Sequence, residues 1–425
     1  MLNYLLFFLL PIYLIRIPLS NSVSINLLEI LLILIIILNF YKIFQIISFK
    51  KILHYLSLNK NILVPIFFIL SGFTLSYFIN QTVNNWANWS NGLGKLLDLI
   101  ILPIIYTFSV LFLVPYKIVS IKKILISYYL SASLISIIGF IYTINHWLTF
   151  DNRLTIFFQS PNQLAIFISP AILINLYLLF KRIFIGNTFD TDYLPDSYKT
   201  KLFLSSSLLF LLFNLYQTFS LGAWLAIIFS SIFLLTKNNS IHNYLLKFIL
   251  FIFITSTICI LSASFILSSI NYQPNIPPTS SNSRLTIYQV DQQIISKNWL
   301  FGIGANNFQN IYLQEQKYFP PFPQWAIPHA HNNFIHFWIE GGILAGLGLL
   351  LLTYKIISKN FYIKNNPSPP LNHIFLAILI YFIIHGIVDT TLWLPPSAIL
   401  FFVIYISYFE TRLRRRASQP LQKDL

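Results

Sequence analysis

The sequence predicts an all-α integral membrane protein with about 12 transmembrane helices, both termini inside and one long outer loop carrying a surface helix. Three observations carry this prediction. Hydrophobic residues make up 56% of the 425 and charged residues only 9%, against about 25% charged in a soluble domain. A soluble globule of this size has too little interior for that apolar surface, and a disordered chain is polar and charge-rich. Runs long enough to cross a bilayer recur along the whole chain, at ~20 residues per span. The basic residues also fall mostly on one side of the spans when these alternate.

Taken in order, the apolar runs lie near 2–15, 23–41, 62–79, 96–114, 124–144, 162–180, 202–217, 222–236, 248–270, 333–354, 373–388 and 396–409. The first has no basic residue before it, since Arg16 follows it. It reads as a retained span rather than a cleaved signal, which carries its charge first. With the N-terminus inside, 21 of the 27 Lys and Arg residues lie in inner connections or the tail, leaving Arg16, Lys95, Arg153, Arg284, Lys297 and Lys317 outside. The net charge of +15 is therefore a mark of topology rather than of nucleic-acid binding. The basic tail 410–425 anchors the last span and meets anionic lipid. The chain forms a single polytopic domain over 1–425.

One cysteine, Cys259, excludes an internal disulfide and any cysteine-ligated zinc or iron–sulfur site. Asp190-Thr191-Asp192 lies in the polar inner loop 181–201 without an α/β domain around it and reads as solvated. The longest connection is 271–332, on the outer side between spans nine and ten. Leu285, Tyr288, Ile294 and Ile295 recur there at roughly helical spacing, which predicts a helix lying at the membrane surface.

Three outer segments carry candidate chemistry. Ser160-Pro161-Asn162-Gln163 has the form of a capping-box helix start, with Arg153 shortly before it. A helix N-terminus beside a cation suits an anion; an interfacial arginine reaching lipid phosphate beside a merely structural cap is the plainer alternative. Arg284 precedes Gly302-Ile303-Gly304, a tight turn without the strand–turn–helix setting of a dinucleotide fingerprint. A solvated charge is the plainer alternative for Arg284. The third segment runs from Pro328 to Gly342 and holds His329, His331, His336 and Glu340 at the mouth of the tenth span. Ionisable groups at membrane depth are expensive and point to function. His331 and His336 are five residues apart, which turns them to different faces of one helix and argues against a shared metal. A neutral histidine acting as general base suits the place better. The glycines Gly341, Gly342, Gly346 and Gly348 read as close helix packing.

Together these segments resemble the O-antigen ligase and polymerase family of bacterial inner-membrane glycosyltransferases. His331-Asn332 are followed by nine residues, 333–341, and then Gly342-Ile343-Leu344-Ala345, close to the family's histidine signature with Ala345 in place of its second glycine. Arg153 ahead of Pro161-Asn162 and Arg284 ahead of Leu300-Phe301-Gly302-Ile303-Gly304 are similar to the family's outer arginines. His385 and Asp389 resemble a His…Asp pair late in these proteins. One departure stands out. Many members carry Ser-Arg-Gly at the outer start of the eighth span, where this chain has Ser220-Leu221-Gly222. Either Arg153 takes over that arginine's part, or donor binding is altered, or this member does something else.

The resemblance implies transfer of a glycan from an undecaprenyl-pyrophosphate carrier to a hydroxyl of a glycan, lipid or protein acceptor, at the periplasmic face of the inner membrane. His331 would be the catalytic base. Arg284, Arg153, Asn332 and Asn162 would bind substrate, with neither metal nor cofactor and with inversion at the anomeric carbon. Trp299, Tyr318, Phe319 and Trp325 suit either sugar stacking or anchoring at the membrane interface. A polysaccharide polymerase of the same family is one alternative, and two readings from other classes stand beside it. One is a solute transporter, for an anion or bicarbonate, for which Glu29 and Asp98 are candidate deep charges. The other is a structural membrane component with a degenerate site.

Overall fold

The computed structural model describes residues 1–18, 24–58, 60–83, 89–184, 198–236, 280–319, 327–362 and 371–417. The predicted ninth span, Cys259, Asp190-Thr191-Asp192 and Trp325 lie outside them.

Among the described residues the chain is almost entirely helical. The only sheet is a two-stranded hairpin, β1 (Arg16–Pro18) against β2 (Ser24–Asn26). The helices are α1 (Leu2–Leu9), α2 (Leu27–Ile46), α3 (Phe49–Leu58), α4 (Lys60–Val83), α5 (Trp89–Leu96), α6 (Leu102–Leu113), α7 (Ile121–Ile144) and α8 (Pro161–Phe184). They continue with α9 (Tyr198–Gln217), α10 (Leu221–Thr236), α11 (Ser280–Asn298), α12 (Phe308–Glu315), α13 (Asn333–Tyr362), α14 (Leu371–Val388) and α15 (Pro395–Ala417).

Seven helical segments among the described residues are long and apolar enough to cross a membrane, within α2, α4, α5–α6, α7, α8, α13 and α14. Three shorter apolar helices lie at Leu2–Leu14, Leu221–Ile232 and Pro395–Phe409. Most predicted apolar runs thus coincide with helices. The seventh does so as α9, which is not among the segments apolar enough to cross unaided. Its face toward the bundle is polar: Asn175 on α8 donates to Ser207 and to the Leu204 carbonyl on α9, and to the Tyr129 hydroxyl on α7. Asn214 on α9 donates to the Ser136 carbonyl of α7 at 2.7 Å. On the other side of the bundle, Asn3 and Asn39 exchange hydrogen bonds at 3.1 Å, and Asn39 also donates to Ser109. Such buried amides join helices where lipid supplies no hydrophobic drive between them.

The main pairings are α4 with α13, α10 with α14, α8 with α9, α1 with α7 and α2 with α6. Glycine lets α4 and α13 approach closely. A Cβ at Gly72 would meet the Ala345 amide nitrogen at 2.4 Å, and one at Gly348 would meet the Ile69 backbone at 2.8 Å. Gly341 and Gly348 therefore pack helices, as their spacing suggested. Gly342 does not: its φ of 69° and ψ of −174° interrupt α13.

That interruption builds the platform for the site. The opened turn of α13 hydrogen-bonds to the loop after α11: Ile303 donates to the Ile339 carbonyl, Gly304 to the Glu340 carbonyl and Ile343 to the Leu300 carbonyl. Gly302 has φ 71°, and a Cβ there would lie 2.5 Å from the Gly342 nitrogen. Two glycines that are far apart in sequence form one joint because neither carries a side chain. Above it, α11 packs through Ile287, Val290 and Ile294 onto Phe308, Tyr312, Ile327 and Ile339. A helix does occupy the predicted stretch, and of the apolar residues that marked it Ile294 lies in this buried face and Ile295 packs against it.

Candidate active site

The segments singled out in the sequence meet at one end of the helical bundle. α8 begins at Pro161, and Ser160 Oγ accepts from the Gln163 backbone N–H at 3.3 Å. The reciprocal half of the capping box is absent. Gln163 Oε1 instead accepts from the Gln159 N–H and from the Tyr13 hydroxyl at 2.7 Å, fastening the N-terminal segment to this helix start.

A continuous chain of hydrogen bonds then crosses the site. Arg153 Nε donates to the Thr218 carbonyl at 2.8 Å, and its Nη2 donates to Asn162 Oδ1 at 2.9 Å. Asn162 Nδ2 donates to Asp389 Oδ2 at 2.8 Å. Asp389 Oδ1 accepts from the Thr390 N–H at 2.8 Å and lies 3.2 Å from His331 Nδ1. Four sequence candidates thus form one unit. Arg153 also lies 3.8 Å from Asp151. Its contact with Thr218 places it just before Ser220-Leu221-Gly222, where Leu221 is exposed.

Asp389 is the hub and is almost fully buried. Burial opposes its charge, but the hydrogen bond from His331 and the fields of His331, His329 and His385 outweigh that, and hold its carboxyl below the usual range. A buried carboxylate accepts, so His331 presents Nδ1–H to it. In a neutral ring that places its proton on Nδ1, the second nitrogen Nε2 carries the free pair, which is the form a general base requires. For Arg153, burial lowers the guanidinium pKa while Asp151 and Asp389 raise it. Burial, reinforced by His331, pushes the His329 imidazole below its usual range.

The backbone of His331 is strained, with φ 49°. A non-glycine residue held in this region costs about 1–3 kcal/mol, and such residues cluster at functional sites. Neighbouring groups hold it there. Tyr288 on α11 donates to the His331 carbonyl at 3.3 Å. Asn332 caps α13: its Oδ1 accepts from the Phe334 and Ile335 N–H groups, and its Nδ2 donates to the Ile387 carbonyl. Asn333 bonds Thr391 and the Leu392 N–H, locking the segment that carries Asp389. The Asn332 side chain is thus occupied within the protein, and its geometry suits positioning His331.

Arg284, on α11, lies within electrostatic reach of Arg153, Tyr288 and His329. A cavity of about 170 Å³ opens here, lined by Asn162, His329, His331, Asp389 and Trp393 among others. His329 and His331 stack edge to face, with ring centroids 4.5 Å apart. With Asp389, their ligand atoms lie within 4.8 Å of one another. His336 and Glu340 are not part of this cluster, although the His336 ring lies 6.4 Å from that of His329. His336 is buried against Trp393 and Phe308, and Glu340 Oε1 accepts from the Phe308 N–H at the start of α12. The two are 3.8 Å apart.

The sequence names Asp389 only as the partner of His385. His385 lies within electrostatic reach of Asp389, but its ring meets the Tyr381 hydroxyl at 2.7 Å, while the Asp389 carboxylate faces His331. Tyr288 and Asn333 carry no motif and were not singled out as site residues. Trp299 and Tyr318 are exposed, Tyr318 between Lys297 and Lys317.

These features define a multi-pass membrane protein with a histidine–aspartate pair and two arginines gathered at one end of its helices. The family model described as O-antigen ligase matches residues 206–350, which supports membership of the O-antigen ligase family. The matched stretch holds α10, α11, the glycine joint and His331. A search of curated proteins finds no significant match. The match supports a membrane enzyme of the O-antigen ligase or polymerase type, a family that handles lipid-linked glycans in general.

Proposed function

We propose that this protein transfers a glycan from undecaprenyl pyrophosphate to an acceptor hydroxyl at the periplasmic face of the bacterial inner membrane. The observation that carries the reading is the His331–Asp389 pair, open to a cavity and joined through Asn162 to Arg153. His331 Nε2 takes the acceptor proton as the hydroxyl attacks the anomeric carbon. Asp389 fixes the tautomer and stabilises the imidazolium that forms, as the carboxylate behind the histidine of a Ser-His-Asp triad does. The bond from the anomeric carbon to the pyrophosphate oxygen breaks, and charge grows on that oxygen. Arg284 and Arg153 stabilise this charge. In-line attack inverts the anomeric centre. No step calls on a metal or cofactor.

The arginines divide the work. Arg153 is held by Thr218 and Asn162, so it acts mainly as a fixed positive charge tied to the base. Arg284 sits on α11, within electrostatic reach of Arg153 and His329, and grips the donor pyrophosphate. Asn162 and Asn332 hold these groups in place and border the substrate.

Deleting the protein and profiling surface polysaccharide together with lipid-linked intermediates tests the reading. The expected result is loss of one surface glycan with accumulation of its lipid-linked precursor. Unchanged glycans and an unchanged precursor pool would contradict it.

A further inference from the structure

We infer that His329, His331 and Asp389 form a binding site for a divalent transition ion such as Zn²⁺, and that filling it switches the enzyme off. The site needs no side chain from elsewhere. Each of the three residues offers one ligand atom, all within 4.8 Å of one another. His331 Nδ1 and Asp389 Oδ1 are already 3.2 Å apart. Two ligands of one tetrahedral zinc, each about 2.1 Å from it, lie roughly 3.4 Å apart. His329 then has to close in, by up to roughly 1.4 Å on the same geometry. It is available to do so, because its buried Nδ1 has no hydrogen-bond partner among the described residues.

The donor set selects the ion. Two imidazoles with one carboxylate suit zinc, copper or nickel, whereas magnesium and calcium prefer oxygen ligands. The carboxylate is also held from behind, by Asn162 and by the Thr390 N–H, as metal-bound carboxylates are. The cavity beside these residues leaves a fourth position for water.

The consequence follows from the tautomer, and this part rests on the proposed function. In the working enzyme Nδ1 of His331 carries the proton and Nε2 has the free pair. An ion on Nδ1 takes that pair's counterpart on the other side of the ring. The proton then belongs on Nε2, no net charge leaves the imidazole, and the nitrogen facing the acceptor can no longer accept a proton. The ion thus replaces the hydrogen bond that makes His331 a base. It is an inhibitor here, not a cofactor.

The test uses the full-length protein in detergent or nanodiscs, stripped with a chelator and titrated with Co²⁺ alone. One equivalent should produce the intense visible bands of tetrahedral cobalt, and Zn²⁺ should abolish them by competition. Zn²⁺ should also raise the unfolding temperature of the wild type. His329→Ala should remove the stoichiometric bands, and Asn162→Ala should weaken binding roughly 10–100-fold, as loss of a carboxylate's support does. Transfer by the wild type should fall as the bands appear and return on chelation. Absence of bands and of thermal stabilisation in the wild type would overturn the site. So would full binding by a folded His329→Ala protein. One-equivalent binding at His329 with undiminished transfer would overturn the switch. A wild type that binds cobalt at His329 yet transfers no glycan after stripping would count against the proposed function while supporting the ion site.

Discussion

At the scale of single residues, Asp389 shows how much a site depends on what the chain brings together. Its carboxylate is buried, receives Asn162 and the Thr390 N–H, and faces His331. Asp389→Asn should lower transfer by roughly 10²-fold or more, because an amide no longer enforces the base tautomer. The same carboxylate should report in stability. Its folded pKa lies below the unfolded value of about 3.9, so its contribution is present above about pH 4 and lost as pH falls through the depressed folded value. The stability advantage of the wild type over Asp389→Asn should therefore be constant from neutral pH to about pH 5 and shrink only in stronger acid, as unfolding at a series of pH values would show. A difference that vanished near pH 7 would contradict the pairing. For the cations, Arg284→Ala should weaken both donor binding and turnover. Arg284→Lys should recover only part, since an ammonium lacks the planar fork that grips two phosphate oxygens. Arg153 stands beside the segment that holds Leu221, so Leu221→Arg should restore some transfer to Arg153→Ala. No recovery in a variant that accumulates normally would mean that the two positions do not serve one charge.

At the scale of elements, the sequence made most helices legible, and the joints between them much less so. Continuous apolar runs mark α7, α8, α13 and α14, and the proline after Ser160 marks where α8 begins. What the chain does not announce is that Gly342 opens α13 instead of packing it. A Gly-Gly pair inside an apolar run has the same appearance in both cases, and only the loop arriving from Leu300 decides which occurs. The partner of Asp389 was hidden for a similar reason. His385 lies one helical turn before it, but the α14 backbone turns that ring toward Tyr381, and the histidine that reaches the carboxylate comes from another element. The joint can be tested directly. Gly342→Ala would place a Cβ 2.4 Å from the Leu300 carbonyl oxygen at a φ of 69°, so it should destabilise the fold by about 1–3 kcal/mol or more. Thermal unfolding in detergent should show a clear drop relative to wild type, and an unchanged transition would mean that the opened turn is not required.

At the scale of the whole molecule, composition alone indicated a multi-pass membrane protein, and the helices are consistent with that. The orientation rests on the distribution of 27 basic residues, since helices packed on one another look the same from either side of a membrane. Cysteine accessibility measures it. With Cys259 replaced, a cysteine at Ser281 should react with an impermeant thiol reagent in intact cells, and one at Ser197 should not. Of the two candidate charges of the transporter reading, Asp98 is buried within the α5–α6 span. Glu29 is spent on the start of α2, where its side chain accepts from the Asn26 N–H at 2.8 Å. The groups joined to His331 gather at one end of the bundle, at helix starts and loops, as a site for a lipid-anchored donor demands. A transporter instead places its binding groups near the midplane.

The central claim is that His331, oriented by Asp389, removes the proton of the acceptor while cations hold the donor. The most direct measurement compares wild type with His331→Ala, both shown to insert and accumulate normally, in proteoliposomes supplied with lipid-linked donor and acceptor. Turnover should fall by roughly 10²–10⁴-fold, with donor affinity nearly unchanged because the imidazole acts on the acceptor. Near-normal transfer by the folded His331→Ala protein would contradict the account.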